Sequence, residues 1–139
     1  MKQPLFVDTN YLCAYYNKSD SLHEKAKKIS PSLRELRIVI SNFILLESYT
    51  IISQRVSKNH ALTFKEDMYT EQYYRIYWIN KELEKQVWNI FAFIKDKNFS
   101  YVDASILAVM KREKIRHLLS FDTGFENLEN QFKFQLIGT

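Results

Sequence analysis

Short apolar runs alternate along this chain with longer stretches in which apolar residues return every third or fourth position. The first run, Leu5-Phe6-Val7, stops at Asp8 and reads as a buried strand. Asp8-Thr9-Asn10 then supplies N-cap chemistry for a helix running through about Tyr16. Ser21 and Glu24 have the spacing of a capping box for a second helix, with Pro31 just beyond its end. Arg37-Ile38-Val39-Ile40 reads as a second strand, and Ser41-Asn42 opens a long helix from about Phe43 to Val56. Another helix is expected over about Ala61 to Glu71, followed by an aromatic and β-branched strand, Tyr74-Arg75-Ile76-Tyr77-Trp78-Ile79. Leu83, Val87, Ile90, Phe91 and Ile94 recur at helical spacing. A further helix starts near Val102 and carries Ile106, Val109 and Met110 on one face. His117 to Ser120 and Phe132 to Ile137 complete the set as a fourth and a fifth strand. Strands separated by helices predict a parallel sheet covered on both faces, an α/β sandwich.

The chain has 139 residues, enough for one domain with a core of its own. Only two glycines and two prolines interrupt it, which argues against disorder and against a linker between domains. No apolar run reaches membrane-spanning length, since the longest, Phe43-Ile44-Leu45-Leu46, ends at Glu47. The first residues lead into a strand and not into a signal-peptide core, and Cys13 has no second cysteine to pair with, so a reducing cytoplasm is the expected setting. The net charge of +4 is compatible with a polyanionic partner without requiring one. Lys25, Lys27 and Lys28, then Arg55 and Lys58, then Lys111, Arg112, Lys114 and Arg116 form basic clusters that read first as solvated helix ends.

Ligands of open parallel sheets bind beyond the carboxyl ends of the strands, where strand order reverses. That rule directs attention to Asp8, directly after the first strand, and to Asp122, in the matching place after the fourth. Both also suit local roles, Asp8 as an N-cap and Asp122-Thr123-Gly124 as a turn. Asp103 has a capping role through Ser100-Tyr101-Val102-Asp103. Glu47 stands out, because its helical neighbours include Ile40, Phe43, Ile44 and Ile51. An ionised carboxylate buried there alone is costly, so a cation or a protein partner is expected beside it. Four gathered carboxylates repel one another until a hard cation such as Mg²⁺ or Mn²⁺ neutralises them. Such an ion can lower the pKa of a bound water and orient it toward a phosphodiester. The histidines His23, His60 and His117 lack paired metal-ligand spacing, and neither a zinc site nor Cys/His catalysis is expected. No GxxxxGK[ST] or GxGxxG is present, which excludes a nucleotide-cradling loop.

Four segments in order, Phe6-Val7-Asp8-Thr9-Asn10, Ser41 to Ser48, Tyr101-Val102-Asp103-Ala104-Ser105-Ile106 and Leu119 to Phe125, resemble the PIN-domain nucleases. Within them the chain is most similar to the VapC-like toxins of toxin–antitoxin pairs. The resemblance implies a PIN-like three-layer sandwich with a central parallel five-stranded sheet, and RNA hydrolysis dependent on Mg²⁺ or Mn²⁺. It implies that Asp8, Glu47, Asp103 and Asp122 are the metal-site acids, with Asn10 and Ser120 as supporting polar residues. It further implies a homodimer and an antitoxin protein that blocks the acidic pocket. One departure is Gly124, where related sequences often carry histidine. The alternative is a non-catalytic RNA- or protein-binding module in which the acids are caps and turns. A haloacid-dehalogenase-type phosphatase needs a second aspartate two residues after Asp8, and Asn10 occupies that place.

Overall fold

The computed structural model describes residues 2–70, 72 and 74–139. Five strands, β1 (Pro4–Val7), β2 (Arg37–Ser41), β3 (Tyr74–Tyr77), β4 (His117–Leu119) and β5 (Gln135–Ile137), form one sheet. Their order is β3-β2-β1-β4-β5, and every pairing is parallel. β1 therefore lies at the centre, with Phe6 opposite Val39 of β2 on one side and Leu118 of β4 on the other. The chain winds outward from β1 in one direction and then crosses to build in the other, so the switch point lies between β1 and β4.

Leu5, Phe6 and Val7 are all buried, as are Ile38, Val39 and Ile40. Successive strand residues point to opposite faces, so these unbroken buried runs mean that both faces of the sheet are covered. The covering helices are α1 (Thr9–Tyr16), α2 (His23–Leu33), α3 (Asn42–Arg55), α4 (Lys58–Thr70), α5 (Lys81–Phe93), α6 (Tyr101–Glu113) and the short α7 (Glu129–Phe132). Replacing Phe6, fully buried in the central strand, with alanine is expected to cost about 3–5 kcal/mol in urea denaturation. A loss below about 1 kcal/mol would place Phe6 outside the core.

Several local expectations are revised. α6 is buried continuously from Ala104 to Met110, not along one face, because it packs as a central helix. The Ser21–Glu24 capping box does not form: Leu22 is the N-cap of α2 without a side-chain cap, and Asp20 Oδ1 accepts the Leu22 N–H instead. Pro31 falls inside α2. A proline's φ suits a helix, so the turn continues, but the following bonds at Arg34, Glu35 and Leu36 reach back only three residues before the helix is lost. α4 begins three residues early because the Ser57 hydroxyl accepts the His60 N–H, and the expected end at Glu71 lies outside the described residues. β3 stops at Tyr77, since the Ile79 N–H turns to Asn42 Oδ1. β5 starts late because Phe132 closes α7 and Lys133 adopts a left-handed conformation with φ 56°.

Candidate active site

The carboxyl end of β1 is a hydrogen-bonded knot. The Asp8 N–H extends the ladder to Leu119 of β4, while its side chain caps α1 by accepting the Thr9 N–H on Oδ1 at 2.7 Å. Oδ2 accepts the Ser120 hydroxyl at 2.8 Å and the Asn10 amide at 3.4 Å. Ser120 Oγ in turn accepts from Asn10 Nδ2 at 3.2 Å and from the Asp122 N–H at 3.0 Å. One hydroxyl thus uses its donor and both lone pairs, joining β1, the first turn of α1 and the exit of β4. Asn10 closes the ring, its Oδ1 accepting the Phe121 N–H at 3.0 Å.

The four candidate acids come from four separate elements at this end of the sheet. Asp8 forms the floor, with 5% exposure. Asp103 sits in the first turn of α6, half-buried, and Asp122 is exposed after β4. Glu47 lies in the second turn of α3 and is half-buried, not sealed in the apolar core. The packed face of α3 is carried by Ile44, Leu45, Ser48 and Ile52, with Glu47 at its flank. The acid under electrostatic stress is Asp8. Burial pushes its carboxyl up to about 7, the Ser120 hydrogen bond opposes this, and Asp103 and Glu47 add like-charge repulsion. Asp103 is also raised, chiefly by burial and further by Asp122 and Glu47, against the Ser100 hydrogen bonds.

The local role and the site role of Asp103 coexist. The capping box forms, with Asp103 Oδ2 accepting the Ser100 N–H at 2.9 Å and the Ser100 hydroxyl accepting the Asp103 N–H. Asp103 Oδ1 meets no donor among the described residues. Asp122 Oδ1 accepts the Gly124 N–H at 2.9 Å, an Asx turn in which a Cβ at 124 would come within 3.2 Å of that oxygen. Glycine at this position lets the carboxylate sit close to the backbone.

Among the described residues no lysine or arginine forms an ion pair with any of the four acids, the one such pair there being Lys65–Glu66 on α4. Nor do any three His, Cys, Asp or Glu side chains among them form a ready cage for an ion. A divalent cation that keeps several waters and takes one or two carboxylates plus a substrate phosphate suits such a spread set of hard oxygens. Hard carboxylate oxygens of this kind suit a divalent cation. Thr9 Oγ1, beside Asp8, is buried without a partner among the described residues. No local sequence pattern marks this orphan hydroxyl, because its burial follows from packing around β1. Cys13 is buried and its thiol is pushed up to about 12, first by burial and then by Glu47, so it is no nucleophile.

Residues 5–131 match the family described as the PIN domain. The chain belongs to the PIN-domain family. PIN domains are metal-dependent nucleases. This one is 28% identical over 121 residues to VapC20 of Mycobacterium tuberculosis, named a 23S rRNA-specific endonuclease, in two strains. The alignment covers 87% of this chain and 91% of the relative. The crystal structure of VapC20, titled a sarcin–ricin loop cleaving toxin, superposes with a TM-score of 0.81 at 27% identity, covering 89% of this chain and 94% of that one. FitAcB from Neisseria gonorrhoeae superposes with a TM-score of 0.63 at 14% identity, covering 95% of each, and shares the fold. No helix among the described residues of this PIN domain is long and apolar enough to cross a membrane.

Proposed function

We propose that this chain is the toxin ribonuclease of a toxin–antitoxin pair, hydrolysing RNA phosphodiester bonds at the acidic end of its sheet with Mg²⁺ or Mn²⁺. The reading is carried by Asp8, Glu47, Asp103 and Asp122 lying around the switch point, with no lysine or arginine ion-paired to them among the described residues. Bound there, the ion would lower the pKa of a water and offset charge on the cleaved phosphate. Asp8, Glu47, Asp103 and Asp122 would hold it. Ser120 and Asn10 keep Asp8 Oδ2 in one orientation, and the Asp103 cap fixes that side chain at the mouth of α6. All four acids are present, so the chain keeps the side chains that this chemistry needs.

The 23S rRNA named for the relative makes an rRNA hairpin the first substrate to try. With that hairpin and Mg²⁺ or Mn²⁺, Asp103→Ala and Glu47→Gln are expected to slow cleavage by about 10²-fold or more at unchanged far-UV circular dichroism. Parental rates in both would overturn the acid assignment.

Self-association is part of this proposal. Phe43, Trp88 and Phe91 all pack on Tyr101 at ring separations of 6.1, 4.7 and 5.7 Å. Leu46 of α3 and Trp88 of α5 are 63% and 56% exposed, which supports a homodimer through these helices. An antitoxin segment would then cover the acidic face.

A further inference from the structure

A groove of about 990 Å³ runs along the flank of the molecule between α5, α6 and α7. Lys111 and Arg112, in the last turn of α6, and Lys133, just after α7, line it together with Gln86, Asn89 and Phe93 of α5. Among the described residues no carboxylate belongs to its lining, and no ion pair engages these three cations. Glu129 of α7 is occupied elsewhere, its Oε2 accepting the Leu136 N–H at 2.9 Å.

We infer that this groove holds the phosphate backbone of an RNA substrate at a distance from the cleaved bond. The inference rests on the ribonuclease reading of the acidic site and adds a second contact region to it. Unpaired lysine and arginine on one surface gain affinity by releasing the counterions of a polyanion. The amides of Gln86 and Asn89 can both donate to and accept from ribose hydroxyls and base edges, and Phe93, 59% exposed, offers a stacking face. Leu83, Ile90 and Phe132 also line the groove, but the cations and amides among them interrupt the continuous apolar trough that a helical protein segment would ask for. α6 links the two regions: Asp103 lies in its first turn, and Lys111 follows eight residues later, about 12 Å along the axis. A folded RNA presenting one bond to the acids would reach the groove within a few nucleotides. The late basic cluster is thus more than a solvated helix end.

The test is fluorescence anisotropy of a labelled rRNA hairpin in EDTA, comparing the intact protein with Lys111→Gln/Arg112→Gln/Lys133→Asn. All three positions are exposed, and asparagine tolerates the left-handed backbone at 133. The variant is expected to bind the hairpin about tenfold more weakly at low salt. Its plot of log affinity against log salt should be shallower by about 2–3. A single-stranded oligonucleotide too short to reach beyond the acids should bind both proteins equally. Equal hairpin affinity and equal salt slope would overturn the inference. So would a variant that keeps the hairpin but loses a poly-glutamate peptide, which would assign the groove to an acidic protein. Asp103→Ala is expected to keep hairpin affinity in the same assay. Groove-dependent binding by a protein that cuts no RNA would therefore sink the ribonuclease reading and leave the groove standing.

Discussion

Asp8→Asn is expected to abolish RNA cleavage, by about 10³-fold, while raising the melting temperature of the metal-free protein at pH 8. The Asp8 carboxyl titrates at about 7 in the folded chain against 3.8 as a model group. Between those values the native state holds a proton that the unfolded state has released. Stability therefore falls as pH rises from about 4 to about 7 and stays low above that. The deficit at pH 8 is on the order of 4 kcal/mol for a group this buried. Asparagine removes the charge and keeps the Thr9 cap through its Oδ1, while its Nδ2 faces the Ser120 hydroxyl and the Asn10 amide and takes back part of the gain. Thermal unfolding in EDTA at pH 8 and pH 4 checks this. The variant should melt higher at pH 8, with the gain largely gone at pH 4. An equal or lower melting temperature at pH 8 would show that Asp8 is not held against a desolvation cost.

Ser120→Ala is expected to raise the pKa of the Asp8 carboxyl in the metal-free protein further and to cost about 2–3 kcal/mol of stability. The hydroxyl is fully buried and its hydrogen bond is the main influence lowering Asp8 against burial. Removing it makes ionisation of Asp8 harder and also strands the Asp122 N–H and part of the Asn10 amide. An NMR titration of the Asp8 carboxyl in EDTA separates this positioning role from a packing role. Destabilisation with an unmoved midpoint would leave Ser120 as core only.

The strands that frame the site were readable because burial on both faces leaves a plain mark, as in Leu5-Phe6-Val7 ending at Asp8. The α6 cap was readable too, since Ser100 and Asp103 satisfy each other within three residues. The relative burial of the acids was not. Glu47 looked most enclosed from its helical neighbours, yet which face of α3 packs is decided by the sheet beneath it. Asp8 looked like an ordinary cap, and the capping bond is indeed made, but its desolvation comes from the strands on either side. The Asp8–Ser120 bond joins residues 112 apart in sequence, and no local pattern encodes it. Lys133 lay in a stretch that alternates like a strand, so its place beside Lys111 and Arg112 emerged only with α7.

The central place of the first strand also governs timing. β1 is made before its β4 neighbour, and Ser120 follows Asp8 by 112 residues. Chains emerge from the ribosome N-terminus first, at about 5–20 residues per second. Until residues 117–122 have emerged, Asp8 lacks the hydroxyl that orients it and the site lacks Asp122. The acid that ends the first strand therefore waits, without its orienting partner, for a hydroxyl made 112 residues after it.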